Sequence, residues 1–149
     1  MTFDELLAAA SEMGLHVKFT NLGRRAGEVR RSGLVLINDR KSAITQKVAL
    51  AHEMGHWHHN HDWSAAHDVP HDERQADAFA ARLLIPPDEY ALAEKLYDGH
   101  VGAIARELEV TTPIVQALRD VVLRRVAPVA YPTPWGLAPT SITRQRHTA

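Results

Sequence analysis

The stretch AHEMGHWHHNH, Ala51 to His61, sets five histidines and one glutamate into eleven residues of a chain that has no cysteine. Its first part, His52-Glu53-Met54-Gly55-His56, is an HExxH motif. On a helix, histidines at i and i+4 share one face and can close on a single ion, while the glutamate next to the first histidine flanks water held at that ion. Ten histidines in 149 residues produce such a pattern by chance in a few per cent of chains, so the flanking sequence has to decide. Upstream, Val48-Ala49-Leu50-Ala51 is apolar, which marks a buried helix and not a solvated charge run. The period places Ile44, Val48, Ala51, Met54 and Gly55 on one packed side of a helix running from Ser42 to about His59.

An open catalytic zinc site uses three protein ligands and keeps a position for water. Without cysteine those ligands must be imidazole and carboxylate. A metzincin would need a glycine three residues past His56 and a ligand three residues later; His59 and Asp62 stand there, and that pattern is set aside. The better candidate is Glu73, at the start of the helical segment ERQADAFAARLLIP. Glu73 and Asp77, four residues apart, point to one face, whereas Ala76, Phe79 and Leu83 pack inward. Run antiparallel to the first helix, this segment brings Glu73 to the ion and leaves Asp77 to receive the second ring N–H of a ligand histidine, the gluzincin arrangement.

The two segments together, HEMGHWHHNH and then ERQADAFAARLLIPPDEY, resemble the ImmA/IrrE family of metallopeptidases, whose pattern is HExxH followed by E-x-x-A-(D/N)-x-F-A-A-x-L-L-(M)-P. The resemblance covers roughly Gly33 to Tyr90 and includes the apolar run LVLIN before the first helix. It implies Zn2+ held by His52, His56 and Glu73, with Glu53 as the catalytic base. It also implies a bacterial intracellular endopeptidase that cleaves helix-turn-helix repressors of prophages, mobile elements or stress regulons. Ile85 stands where methionine is common, and Gln75 where a second acid is frequent, which leaves Glu73 as the ligand.

The plain alternative makes His52 and His56 surface histidines and Glu73 a first-turn acid that stabilises the helix dipole. For His58, His59, His61, His67 and His71 that plain reading is preferred: solvated loop residues, with room for one to line the cleft or donate to a transition state. Asp72 reads as a cap and not a ligand.

Working outward, Thr2-Phe3-Asp4-Glu5 is a capping box followed by Leu6, Leu7, Ala10 and Met13 at helical spacing, with Gly14 as the stop. Leu15, Val17 and Phe19 then alternate with polar residues as in a half-buried strand. Glu28 to Arg30 and Leu34 to Ile37 supply two more strands around Arg31-Ser32-Gly33, giving a small, mostly antiparallel sheet. The run Leu34 to Asn38 is either an edge beside the zinc helix, able to pair with an extended substrate, or a central core strand. Asn60 to Asp72 reads as a loop, with helices from about Asp72 to the Pro86-Pro87 pair and from there to about Tyr97.

Helices at Val101 to Leu108 and Pro113 to about Arg125, capped by Thr111 or Thr112, resemble a helix-turn-helix with Ala105, Val110 and Val115 at its packing positions. Gln116 and Arg119 are the groups it would offer to a DNA groove. Residues 127–149, with four prolines and a basic end, read as an extended or disordered tail, which leaves one metallopeptidase domain over 1–126.

The fold class expected is α+β: a zincin-type helix and several others around the sheet. A net charge of −1 argues against bulk attraction to nucleic acid or anionic membrane. No membrane span and no secretory signal is visible, so the cytoplasm is the expected location. An open zinc site polarises a carbonyl and acidifies water, and Glu53 would move the proton to a leaving amine, so amide hydrolysis is the natural reaction. Two alternatives keep the motif without the reaction: a regulatory or DNA-binding protein using metal for structure, and a site that senses or binds a partner. Manganese or iron also suits such ligands. The oligomeric state is not legible.

Overall fold

The computed structural model describes residues 1–61 and 69–126. The chain opens with helix α1, Phe3–Glu12, whose start is the expected capping box: the Glu5 amide donates to Thr2 Oγ1 at 3.2 Å and the Thr2 amide to Glu5 Oε2 at 2.7 Å. Leu6 and Ala10 are buried on its inner face. Strands β1 (His16–Thr20), β2 (Gly27–Val29) and β3 (Leu34–Asn38) follow.

The sheet corrects one expectation and decides a second point left open. It is mixed and not mostly antiparallel: β1 pairs with β3 in parallel from His16↔Leu34 to Thr20↔Asn38, and only the short β2 is antiparallel to β3. The strand order β1-β3-β2 also makes β3 the centre, which removes it as an edge for substrate. The cause lies in the run LVLIN itself. Val35 and Ile37 are fully buried on one face and Leu34 and Leu36 half-buried on the other, and a strand apolar on both faces belongs in the middle of a sheet. β1, with His16 and Lys18 exposed and Phe19 46% exposed, can accept an edge position.

Five helices complete the α+β fold: α2 (Ala43–His58), α3 (Pro70–Leu84), α4 (Pro87–Leu96), α5 (Val101–Glu107) and α6 (Thr112–Val126). Ser42 caps α2 by accepting the Thr45 amide at 3.2 Å. α3 begins two residues before Asp72 because Pro70 sits in its first turn, where a fixed φ and a missing N–H cost nothing. Most of the segment expected as a loop between α2 and α3, residues 62–68, lies outside the described residues.

Helices α2 and α3 meet at Gly55. A Cβ there would lie 2.8 Å from Ala76 Cα and 2.9 Å from its carbonyl oxygen, so the two backbones touch where neither carries bulk. The core runs from Leu6 through Val35, Ile37, Leu50 and Met54 to Leu84, Ile85, Ile104 and Ile114.

In the α5–α6 pair Ala105, Val110 and Val115 are buried as their spacing predicts. Gln116 is exposed. Arg119 is taken up internally: it donates to Tyr90 Oη at 3.1 Å, to both oxygens of Glu94 at 3.1 and 3.0 Å, and to the Gly99 carbonyl at 2.7 Å, tying α6 to α4. Among the described residues no helix is long and apolar enough to cross a membrane. The proposed tail, 127–149, lies outside them.

Candidate metal centre

His52 and His56, one turn apart on α2, present their Nε2 atoms 3.0 Å from each other. Glu73 arrives from the first turn of α3 and spans the pair, with Oε2 3.2 Å from His52 Nε2 and Oε1 3.2 Å from His56 Nε2. One donor atom from each residue falls within 4.8 Å of the others, and this is the metal-competent cluster among the described residues. The structure therefore brings together the three side chains that the sequence selected. Two imidazole nitrogens and one carboxylate are a zinc donor set. The remaining ring nitrogens are also engaged, as such a set requires: His52 Nδ1 lies 2.8 Å from Asp77 Oδ1, the partner expected for it.

Burial by itself would lower the affinity of His52 for a proton. The Asp77 hydrogen bond and the Glu53, Asp77 and Glu73 carboxylates outweigh it and hold the imidazole above its ordinary range. For His56 the balance is reversed: burial first, then the neighbouring His52 and His61 rings, outweigh the Asp72 and Asp77 carboxylates and push it down to about 4. It is thus a neutral imidazole at neutral pH, the form that donates a lone pair.

Glu53, the residue after His52, lines the same cleft on its strand side, against β2. It is 9% exposed, and burial pushes its carboxyl up to about 7. The Val29 backbone amide donates a hydrogen bond to it and opposes that rise only in part. Gly27 is what lets β2 come this close: a Cβ on it would lie 3.1 Å from Glu53 Cγ and Oε1 and 3.4 Å from Ala49 Cβ. β2 is held in turn by buried Asn38, whose Nδ2 donates to the Gly23 and Arg25 carbonyls at 3.0 and 2.7 Å. The sequence reading found neither Gly27 nor Asn38.

His61 takes the place in the cleft that the sequence left open for one of its histidines. This residue, grouped with solvated loop histidines, turns back over the last turn of α2, with Nδ1 2.8 Å from His56 Nδ1 and Nε2 3.0 Å from Gln75 Oε1. The signal was Asn60, a residue that tolerates the left-handed region and here has φ 51°. Its amide donates to the Trp57 carbonyl at 3.1 Å and the His61 amide to the His56 carbonyl at 3.2 Å, the paired bonds of a Schellman cap. His58, His59 and His71 are exposed, as expected; His67 lies outside the described residues. Asp72 stands 3.7 Å from His61 Nε2 and is not part of the metal-competent cluster.

His52, Glu53, His56, His61, Glu73 and Asp77 open on one cleft of about 630 Å³, lined by α2 and α3, by residues 25–29, and by Thr111, Pro113 and Ile114. A buried carboxyl that titrates near neutrality beside a metal-competent triad can take up and return a proton in a water-poor site.

No curated protein matches the chain in a direct comparison. The IrrE N-terminal-like domain, Peptidase_M78, matches over residues 10–117, a span that holds every side chain just described. The chain belongs to this family of metallopeptidase type.

Proposed function

We propose that the protein is a zinc-dependent endopeptidase. The observation that carries this reading is the convergence of His52 Nε2, His56 Nε2 and a Glu73 oxygen within 4.8 Å in a cleft that also holds the buried Glu53. When bound there, zinc supplies a Lewis acid that polarises a peptide carbonyl and acidifies water. His52, His56 and Glu73 hold it, and Asp77 orients the His52 ring through Nδ1. Glu53, raised to about 7, takes the proton of the attacking water and passes it to the leaving amine.

The polypeptide substrate is placed by β2 and not by β3. The Ala26 carbonyl accepts from the Asn38 amide and the Arg30 amide donates to the Leu34 carbonyl, so by alternation Gly27 and Val29 turn their peptide groups outward, away from β3. An extended chain can pair with Gly27 on that side and lie across the cleft. By family resemblance the substrate is a helix-turn-helix repressor of a prophage or mobile element, and the protein works in a bacterial cytoplasm.

Elemental analysis of the parent, Glu73→Ala and Glu53→Gln, together with cleavage assays on helix-turn-helix repressors from the source genome, tests this. About one zinc per chain in the parent and in Glu53→Gln is expected, and none in Glu73→Ala. Cleavage should be confined to the parent, with Glu53→Gln slowed by about a thousandfold. Cleavage by Glu53→Gln at the parent rate would remove the base, and a zinc-free parent would remove the site.

A further inference from the structure

We propose that His61 and Gln75 form a positioning relay for His56, separate from the carboxylate that positions His52. The proposal rests on the reading that His52, His56 and Glu73 hold a metal ion, and concerns how one of those ligands is aimed.

The direction of the relay follows from the donors. With His56 as a ligand of the proposed ion, Nε2, which faces His52 Nε2 at 3.0 Å and Glu73 Oε1 at 3.2 Å, carries the lone pair, and the ring proton sits on Nδ1. The group in front of that proton is His61 Nδ1, at 2.8 Å, which must accept. The proton of His61 is then on Nε2, 3.0 Å from Gln75 Oε1, an amide oxygen that can only accept. Each nitrogen of His61 has one assignment, and neither faces the metal position, so His61 is not a fourth ligand. Gln75, at a position where an acid is frequent in the resembling pattern, supplies a neutral acceptor at 3.0 Å, with the Asp72 carboxylate farther off at 3.7 Å from the same nitrogen.

The backbone makes the relay possible. The Schellman cap at Asn60 folds the chain over the end of α2, so that a residue five beyond His56 returns to the unliganded side of its ring. Gln75 reaches the same point from α3, two residues past Glu73, so that one stretch of α3 supplies both a ligand and a brace. His52, by contrast, is braced by the charged Asp77 at 2.8 Å.

Zinc affinity of the full chain, measured at one fixed pH by competition with a chromophoric chelator, tests the relay. His61→Ala is expected to weaken binding about 10- to 100-fold, as Asp77→Ala does. His61→Asn, whose Oδ1 stands where Nδ1 was, should stay within about threefold of the parent, while His61→Gln, with no acceptor there, should resemble alanine. Gln75→Ala should lose less, and nothing further once His61 is alanine. Asn60→Gly should be neutral and Asn60→Val as weak as His61→Ala, because a β-branched residue resists positive φ. Nitrogen-15 spectra of the histidine rings should place the protons on His56 Nδ1 and His61 Nε2.

A parent that binds zinc with His61→Ala binding equally well overturns the relay and leaves the metal reading standing. An asparagine variant as weak as alanine, or the opposite ring tautomers, also overturns it. A parent that binds no zinc overturns both. Should His61→Ala fail to fold, the asparagine–glutamine pair decides.

Discussion

The cleft has two walls, and each depends on a glycine that something approaches closely. On the helical wall the neighbour of Gly55 is backbone, Ala76 Cα at 2.8 Å from where a Cβ would sit. On the strand wall the neighbour of Gly27 is the end of a side chain, Glu53 at 3.1 Å. A backbone of a packed helix cannot give way, whereas a carboxylate arm can swing by a few tenths of an ångström. The first glycine therefore governs whether the ligands meet, and the second governs how the base is held. The two walls should respond to substitution differently: packing and metal binding on one side, the protonation and reactivity of Glu53 on the other.

The largest effect belongs to the helical wall. Gly55→Val forces α2 and α3 apart, and over-packing of this kind costs on the order of 3 kcal/mol. Zinc affinity should fall with it, because His52 and His56 lie on one of the separated helices and Glu73 on the other. Urea unfolding of the metal-free protein and a zinc titration read both quantities. Unchanged stability would mean that the helices slide past each other at no cost and that the crossing does not fix the site.

Next comes the proton held by the strand wall. In the metal-free protein Glu53 is raised from its ordinary 4.5 to about 7, so across that window the folded chain keeps a proton that the unfolded chain has released. Stability from this group is complete below about pH 4.5 and is lost as pH rises through 7, by about 3 kcal/mol. Glu53→Gln cannot ionise. It should match the parent at low pH and exceed it by about that amount at pH 8. His56, pushed down to about 4, titrates in both chains and largely cancels from the difference. Unfolding curves at several pH values decide; a constant gap from pH 4 to 8 would show that β2 does not desolvate the carboxyl.

The same division between the walls explains what the sequence reveals. The helical wall is legible because its information is local and periodic: His52 and His56 at i, i+4, then Glu73 and Asp77 at the same spacing, each on a segment whose apolar residues already fix which face is inside. Only the antiparallel approach of two helices has to be added, and short connections favour it. The strand wall depends on pairing between distant residues, which spacing does not encode. Even so, LVLIN is apolar at consecutive positions, a pattern of a central strand that ranks β3 against an edge role. β2, three residues long and led by a glycine, carries no periodic signal at all. Asn38 is similar: its identity suggests a turn, and only the fold shows that its amide holds the Gly23 and Arg25 carbonyls and so the strand that touches Glu53. His61 falls between the two cases. Its position is set by one residue, Asn60, whose tolerance of positive φ is a known helix-stop property, but which of several nearby histidines profits is decided only by geometry.

The smallest effect is the most selective. Gly27→Ala adds one methyl at 3.1 Å from Glu53 Cγ and Oε1 and 3.4 Å from Ala49 Cβ. The carboxylate is the part that yields, since Ala49 is buried in α2 and β2 is fixed to β3 and Asn38. A proton-transfer group moved by a few tenths of an ångström should lose about tenfold in kcat, close to 1.4 kcal/mol. The added methyl meets Glu53 and Ala49 and none of His52, His56 or Glu73, so zinc affinity should stay within about twofold, and the Glu53→Gln background should show no further loss from it. Peptide cleavage kinetics and chelator competition on the same preparations separate the outcomes. A joint fall in affinity and rate would mean that β2 also supports the ligands, and that the cleft has one wall and not two.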